Sequence, residues 1–472
     1  MSKTPIPIVD LFAGPGGLGE GFSRVDDGKA FNIVVSIEKD PHAIETLRLR
    51  AFYRVWVRSK KKLPKAYFDL LSAKNGKEKA KAIDTLSELD EWKIAQEEAL
   101  HLELGKDNQE IYAHIKQRLA GTNKWVLIGG PPCQAYSLVG RSRMKNHDGN
   151  KKDHRHHLYK QYLAIIKKFK PSVFVMENVK GINTAKVLGK RILPKILKDL
   201  SVAGKYKLYS LTSENITTDE EPSYLVKSEK YGIPQTRHRV IIIGVRNDIG
   251  GKIKPLELSD EVSVSEALSD LPMLSGLDSC MPRSSYSLRE RGAPVVCHNK
   301  LRTHLLSAIL KQFINPLSPD LVNHVLNHEA RSHMKEDLVR YKWWSDAAKK
   351  LGRSPTLNDK MPKGIAPLHK NITKAGAASF ADRFKVQVAD RPSGTITSHI
   401  SKDGHYYIHY DPAQCRSFSV REAARIQTFP DDYFFMGNKT QQYHQVGNAV
   451  PPYLAYQIAK SIYILYNLKP SE

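Results

Sequence analysis

Between residues 6 and 38 a short apolar run, IPIVDLF, gives way to the glycine-rich AGPGGLGEGF, and a second apolar run, FNIVVSIE, ends on an acid. A strand, a tight turn, a helix and a second strand form the unit that makes neighbouring strands parallel, because the helix carries the chain back across the sheet. The texture returns in WVLIGG (125–130), SVFVMENV (172–179) and RVIIIGVR (239–246), with LYKQYLAIIKKF (158–169) reading as an intervening helix. Strands this uniformly apolar are covered on both faces. The pattern predicts an α/β fold built on a mostly parallel sheet.

Two stretches break the rhythm. Residues from about 51 to 121, rich in Lys, Glu, Ala and Leu, read as helices inserted into the connections of the sheet with a solvated, charged face. From about 250 to 410, Pro, Ser, Gly, His and basic residues mix without a βα period, before REAARIQTF (421–429) and AVPPYLAYQIAKSIYILYNL (449–468) turn helical again. This predicts a first part of an α/β domain at 1–249, a distinct region at 250–412, and a return to the first domain at 413–472.

The formal charge of +24, with a pI near 9.6, points to a polyanionic partner, of which nucleic acid is the commonest. The chain has no uninterrupted apolar run of the roughly 18 residues that a membrane span needs, and MSKTPIPIVDLF lacks the apolar region of a signal peptide. A soluble cytoplasmic protein is expected. Cys133, Cys280, Cys297 and Cys415 form no CxxC pair, so reduced thiols are expected, and neither a zinc ribbon nor a disulfide scaffold.

Four groups of residues carry chemistry. Asp10, Phe12, Ala13, Gly14, Gly16 and Gly17 end one strand and open a helix, and Glu38 ends the next strand with Lys39 after it. Such glycines allow a tight turn or a ligand's close approach, and an acid at this spacing suits a ribose diol. A ligand-free glycine turn has the same signature. Cys133 lies in Pro131-Pro132-Cys133-Gln134 after WVLIGG, at the carboxyl edge where open α/β sheets bind ligands. With Ser137 polar and Arg141 and Arg143 favouring a thiolate, it reads as a nucleophile, against the alternative of a small buried apolar side chain. Glu177 in MENV ends the following strand, and Arg237 and Arg239 in QTRHR alternate onto one face as the last strand begins.

In order, DLFAGPGG, PCQ, ENV, QTRHR, REAARIQTFP and QVGNAV resemble the motif series of the cytosine-C5 DNA methyltransferases, from Asp10 to the C-terminal helix. The resemblance implies a Rossmann-like S-adenosylmethionine-dependent methyltransferase sheet with an inserted, smaller target-recognition domain at 250–412. It implies S-adenosyl-L-methionine held by the glycine loop, with Phe12 against adenine, Glu38 on the ribose, and Pro132, Leu158 and Asn448 lining the site. Cys133 would attack carbon 6 of cytosine, Glu177 would hold the N3 edge, and Arg239, supported by Arg237, would meet O2. Gln134, Ser137, Arg141 and Arg143 would face DNA. No metal is expected: His154, His156 and His157 stand in a basic loop suited to phosphate. The family's acid near the adenine amino group has no clear counterpart, Glu103 and Asp107 being the candidates. The partner implied is double-stranded DNA, met by a monomer, with a cognate restriction endonuclease acting separately and no membrane. The alternatives are the same chemistry on tRNA, against which the 250–412 insertion favours duplex DNA, and a non-catalytic nucleic-acid-binding protein, against which the Cys133, Glu177 and Arg239 set stands.

Overall fold

A computed structural model describes residues 4–132, 158–187, 190–212, 223–274, 295–296, 308–322, 324–357, 359, 362, 364–365 and 383–467. Its centre is a sheet of β1 (Ile6–Leu11), β2 (Phe31–Glu38), β3 (Ala99–His101), β4 (Val126–Gly129), β5 (Val173–Val179), β6 (Tyr206–Tyr209), β7 (Leu225–Lys227) and β8 (His238–Arg246). The order is β3-β2-β1-β4-β5-β8-β6, with β7 also on β8. β3, β2, β1, β4 and β5 run parallel, whereas β8 is antiparallel to β5, β6 and β7. The order reverses between β1 and β4, so the connections leave a crevice outside the carboxyl ends of those strands.

Alternate side chains of each strand feed two cores. Ile8, Val126, Val175 and Ile241 face α1 (Gly17–Ser23) and α14 (Pro452–Asn467) through Phe22, Leu454, Ile458 and Ile462. Val9, Leu127, Phe174 and Ile242 face α6 (Asn108–Leu119), α7 (Leu158–Phe169) and α8 (Leu193–Val202) through Ile115, Ile166 and Leu200. A period of two with both faces apolar is what reads as a continuous apolar run in the sequence.

The insertion is narrower than the composition suggests. α2 (Pro41–Arg58), β3 and α6 belong to the βα alternation, and the extra helices are α3 (Lys65–Ser72), α4 (Gly76–Ser87) and α5 (Asp90–Glu98). They have a core of their own, in which Phe52 packs against Trp56, Tyr67 and Trp92. Charge blurred the boundary because β3 is only three residues long.

The expected break at residue 250 is crossed by packing. Ile253, Leu256 and Val262, with Leu310, Phe313 and Ile314 of α10 (Ala308–Ile314), join the core under α1 and α14. α9 (Val264–Leu268) packs with α12 (Val420–Ile426), whose capping box pairs Ser419 and Glu422. A separate small core forms farther on, from Tyr341, Trp344 and Ala348 of α11 (Lys335–Leu351) with Phe384, Val386 and Ile408.

Candidate active site

The glycine loop crosses the carboxyl end of β1. Ala13 N–H donates to the Ile37 carbonyl at 3.1 Å, and Gly14 N–H to Glu38 Oε2 at 2.8 Å. The other oxygen of Glu38 accepts from the N–H groups of Lys39 and Asp40, at 2.9 and 2.8 Å. The carboxylate is thereby fixed, half-buried, with lone-pair capacity left for a further donor. Phe12 holds a left-handed φ of 56°, a conformation rare outside glycine and typical of constrained sites.

The glycines divide their work. At Gly14 (φ +56°) a Cβ would meet nothing within 4 Å, leaving open space for a ligand. At Gly17 and Gly16 the space a Cβ would take is filled by protein instead. A Cβ at Gly17 would lie 2.1 Å from the Val450 carbonyl, and one at Gly16 would lie 2.8 Å from Leu47 and from the Tyr433 hydroxyl. That hydroxyl donates to the Pro15 carbonyl, so the C-terminal segment closes over the loop.

Asp10 lies beneath this turn, 1% exposed, against Gly19, and neither carboxylate oxygen has a hydrogen-bond partner among the described residues. Burial, aided by Glu38 and Glu98, pushes its pKa well above the usual carboxylate range. Its place is under α1, not in the open space at Gly14. Glu20, one turn on, is clamped by both Arg50 (2.6 Å) and Arg24 (2.8 Å), and Arg50 also reaches Asp432 (3.0 Å). Against the cost of burial, these arginines hold Glu20 below the ordinary carboxylate range. This buried ionic cluster bolts α1 to α2 and to residues 430–433.

The other side of the crevice is built by β4, β5 and β8. Asn178 Nδ2 donates to the Pro131 carbonyl at 3.0 Å, fixing the turn into half-buried Pro132. A Cβ at Gly130 would meet Glu177 Oε2 at 2.8 Å, so the glycine leaves room for that carboxylate beside the turn. Glu177 Oε1 pairs with Arg239 Nε at 2.9 Å, across the antiparallel β5–β8 ladder. An acid and an arginine are thus joined at the edge where the chain enters position 133. Cys133, Gln134, Ser137, Arg141, Arg143 and the histidines at 154–157 lie outside the described residues.

Arg237 departs from the expectation that it shares a face with Arg239. It precedes β8, is buried, and donates from Nη1 to the carbonyls of Ile396 (2.7 Å) and Gly447 (3.4 Å). Burial and the neighbouring Arg239 depress its pKa, opposed by Glu177. Lys39 extends outward to Glu103 at 3.1 Å, and Asp107 accepts from the Glu103 N–H at 2.8 Å, so both adenine candidates have protein partners. Leu158 opens α7, half-buried. Asn448 ends α13 (Lys439–Asn448), exposed and two residues from the Val450 carbonyl at Gly17. Thr395 and Thr397, within the region 250–412, bond to the Thr236 carbonyl (2.6 Å) and the Tyr407 hydroxyl (3.0 Å).

Sequence reasoning missed a buried amide relay. Gln235 accepts from Ile396 N–H (3.1 Å) and donates to Gln427 Oε1 (2.6 Å), while Gln427 donates to the carbonyls of Val446 (2.6 Å) and Ala449 (3.3 Å). Glutamines beside apolar residues in QTRHR and IQTF were the available signal.

The sequence and the fold both have relatives among known proteins. A family model for C-5 cytosine-specific DNA methylases matches residues 6–74 and 85–463. The type II methyltransferase M.Bpa9945I of Bacillus paralicheniformis is 35% identical, over 96% of this chain and 98% of its own. M1.HphI of Haemophilus parahaemolyticus, also a type II methyltransferase, is 26% identical over 97% of this chain and 86% of its own. A crystal structure described as a prophage-encoded DNA modification methyltransferase (E. coli) superposes with a TM-score of 0.59, at 20% identity over 98% of this chain and 100% of that one, and supports the fold. Among the described residues no helix is long and apolar enough to cross a membrane. The chain belongs to the C-5 cytosine-specific DNA methylase family.

Proposed function

We propose that this methyltransferase acts on a cytosine flipped out of a specific duplex DNA sequence, through a covalent bond between Cys133 and carbon 6. The observation that carries the reading is the Glu177–Arg239 pair beside the Pro131–Pro132 turn. Carbon 5 of cytosine is a poor nucleophile, and thiolate addition at carbon 6 makes it enamine-like. Glu177 holds N3 and the exocyclic amine as N3 takes a proton, and Arg239 offers its guanidinium to O2. Once carbon 5 has taken the methyl group, its donor leaving as the neutral thioether, loss of the C5 proton expels the Cys133 thiolate and leaves 5-methylcytosine. A base inside the stack cannot reach such a pocket, hence the flip.

The open space at Gly14, with Glu38 fixed beside it, fits the adenosyl and ribose portion of S-adenosyl-L-methionine, which supplies an electrophilic methyl group. Phe12, Pro132, Leu158 and Asn448 would border it. Arg237 acts as a positioning residue, through the carbonyls it holds. Residues within 250–412 would read the DNA sequence, an assignment supported by the separate core around Trp344. The type II relatives favour a role in protecting host DNA from a cognate nuclease.

Cys133→Ser is expected to abolish methyl transfer while leaving duplex binding nearly unchanged. Undiminished incorporation of tritiated methyl groups by that variant would overturn the assignment. Bisulfite sequencing of host DNA expressing the chain would give both activity and target sequence.

A further inference from the structure

The insertion carries a polarity that the methyl-transfer site does not use. Residues 58–81 hold nine Lys or Arg and two Asp or Glu, whereas 82–98 hold six acids and a single Lys. A helical insertion that merely faces solvent gains from mixing its charges at i,i+4, and a segregated block repels itself. Here the block is left uncompensated. Lys61 pairs with Glu91 at 2.9 Å and Lys79 with Glu45 at 2.7 Å, but the ammonium groups of Lys60, Lys62, Lys65, Lys74, Lys77 and Lys81 have no ion pair among the described residues, and all six are exposed.

The two ends of the insertion face different parts of the molecule. At the acidic end Glu98 is buried on Arg54, and Glu97 pairs at the surface with Arg118 of α6. The basic end turns toward the region proposed to read DNA. Leu63 N–H donates to Asp320 at 2.8 Å, Leu321 and Leu326 enter the insertion's own core, and the Phe68 ring lies 5.8 Å from that of His324. Between residues 73–79, residues 325–329 and residues 434–442 runs a groove of about 580 Å³, with Lys74 on its wall and Lys79 and Lys439 paired there with Glu45 and Glu329. The family match stops at residue 74 and resumes at 85, so most of α4 lies outside what the family shares.

We infer that the basic end of this insertion, from Lys60 to Lys81, is an auxiliary surface for the phosphate backbone of duplex DNA flanking the methylated site. The inference rests on the reading of residues 250–412 as the DNA-facing region. Contacts of this kind carry no sequence information; they position the duplex and set the salt dependence of binding. Lys77 and Lys81, four residues apart on α4, present one face, and Lys74 precedes it.

The test is the binding of a mixed-sequence duplex three helical turns long, titrated across a salt series, by the full chain and by its Lys74→Gln/Lys77→Gln/Lys81→Gln variant. Each lost phosphate contact removes about 0.9 from the slope of log K against log salt, so three lost contacts lower it by about 2.7. The slope is expected to fall by about 2 to 3, with methyl transfer at saturating DNA and low salt within twofold of the unsubstituted chain. A slope equal to that of the unsubstituted chain, or a fall seen with tRNA and not with duplex DNA, would overturn the inference. Loss of duplex methylation by the unsubstituted chain would instead strike the underlying reading, so the two failures are distinguishable.

Discussion

Gly14 and Gly17 stand three residues apart in one loop, yet alanine should do opposite things at the two positions. At Gly17 the new Cβ would sit 2.1 Å from the Val450 carbonyl, where ordinary contact begins at 3.4 Å. Two backbones must therefore separate by more than 1 Å, and neither can rotate aside as a side chain could. Overpacking of this kind costs about 3 kcal/mol. At about 2.1 cal/mol/K of unfolding entropy per residue, a chain of 472 residues loses roughly 1 °C of melting temperature per kcal/mol, so Gly17→Ala should melt about 3 °C lower. At Gly14 the Cβ meets open space, and the cost is the left-handed backbone alone, about 1 kcal/mol and about 1 °C. Its methyl group instead occupies the space assigned to S-adenosylmethionine, so Gly14→Ala should weaken equilibrium binding of that cofactor at least tenfold. Thermal melts and cofactor titration on both variants make the comparison. A Gly17→Ala protein melting with the parent would refute the packing argument, and unchanged cofactor affinity in Gly14→Ala would refute the cofactor placement.

Asp10→Asn should stabilise the fold at neutral pH, because the folded-state pKa of this acid is raised and ionising it costs folding free energy above the unfolded value near 3.8. The gain in denaturant midpoint should shrink as pH falls toward 4, and a gain independent of pH would contradict the mechanism. His328 is buried, with Nε2 on the Pro272 carbonyl (2.8 Å) and Nδ1 on Ser419 (2.9 Å), and burial lowers its pKa from 6.5 to about 4. Stability should therefore be lost as pH falls below 6.5, by about 2 kcal/mol at pH 5 from this residue, and His328→Gln should flatten the profile. Gln235→Leu and Gln427→Leu each leave buried backbone partners unmet, at about 1–3 kcal/mol per group. Their double variant should fall short of the sum by about 1 kcal/mol or more in denaturant midpoints, whereas strict additivity would deny the 2.6 Å amide contact.

The strands of the sheet could be read from the sequence because burial on both faces writes itself as uninterrupted apolar residues. FNIVVSIE at 31–38 and LYKQYLAIIKKF at 158–169 match the observed β2 and α7 residue for residue. The end of β2 could be read too, since Glu38 closes its apolar run, whereas Glu177 stands inside β5, which continues to Val179. What the apolar pattern could not carry was the reason a polar residue is buried. Glu20, Arg50 and Asp432 look like surface charges in sequence, and they are buried only because they find one another across hundreds of residues. Antiparallel β8 was found as a strand but not as an antiparallel one, because direction depends on a connection and not on composition.

The motifs themselves prove to be one packing problem. Gly17 of the first is a glycine because Val450, the final residue of the last, needs its space. Gly447 is a glycine because a Cβ there would lie 2.3 Å from the Thr397–Ser398 peptide. Arg237 grips both sides of that contact, through the carbonyls of Ile396 and Gly447, two residues before Arg239 meets Glu177. A change at residue 447 thus falls on a carbonyl that the buried Arg237 guanidinium holds. Separation in sequence here means adjacency at the site, and the residues at these junctions are held to one identity by each other as much as by any ligand.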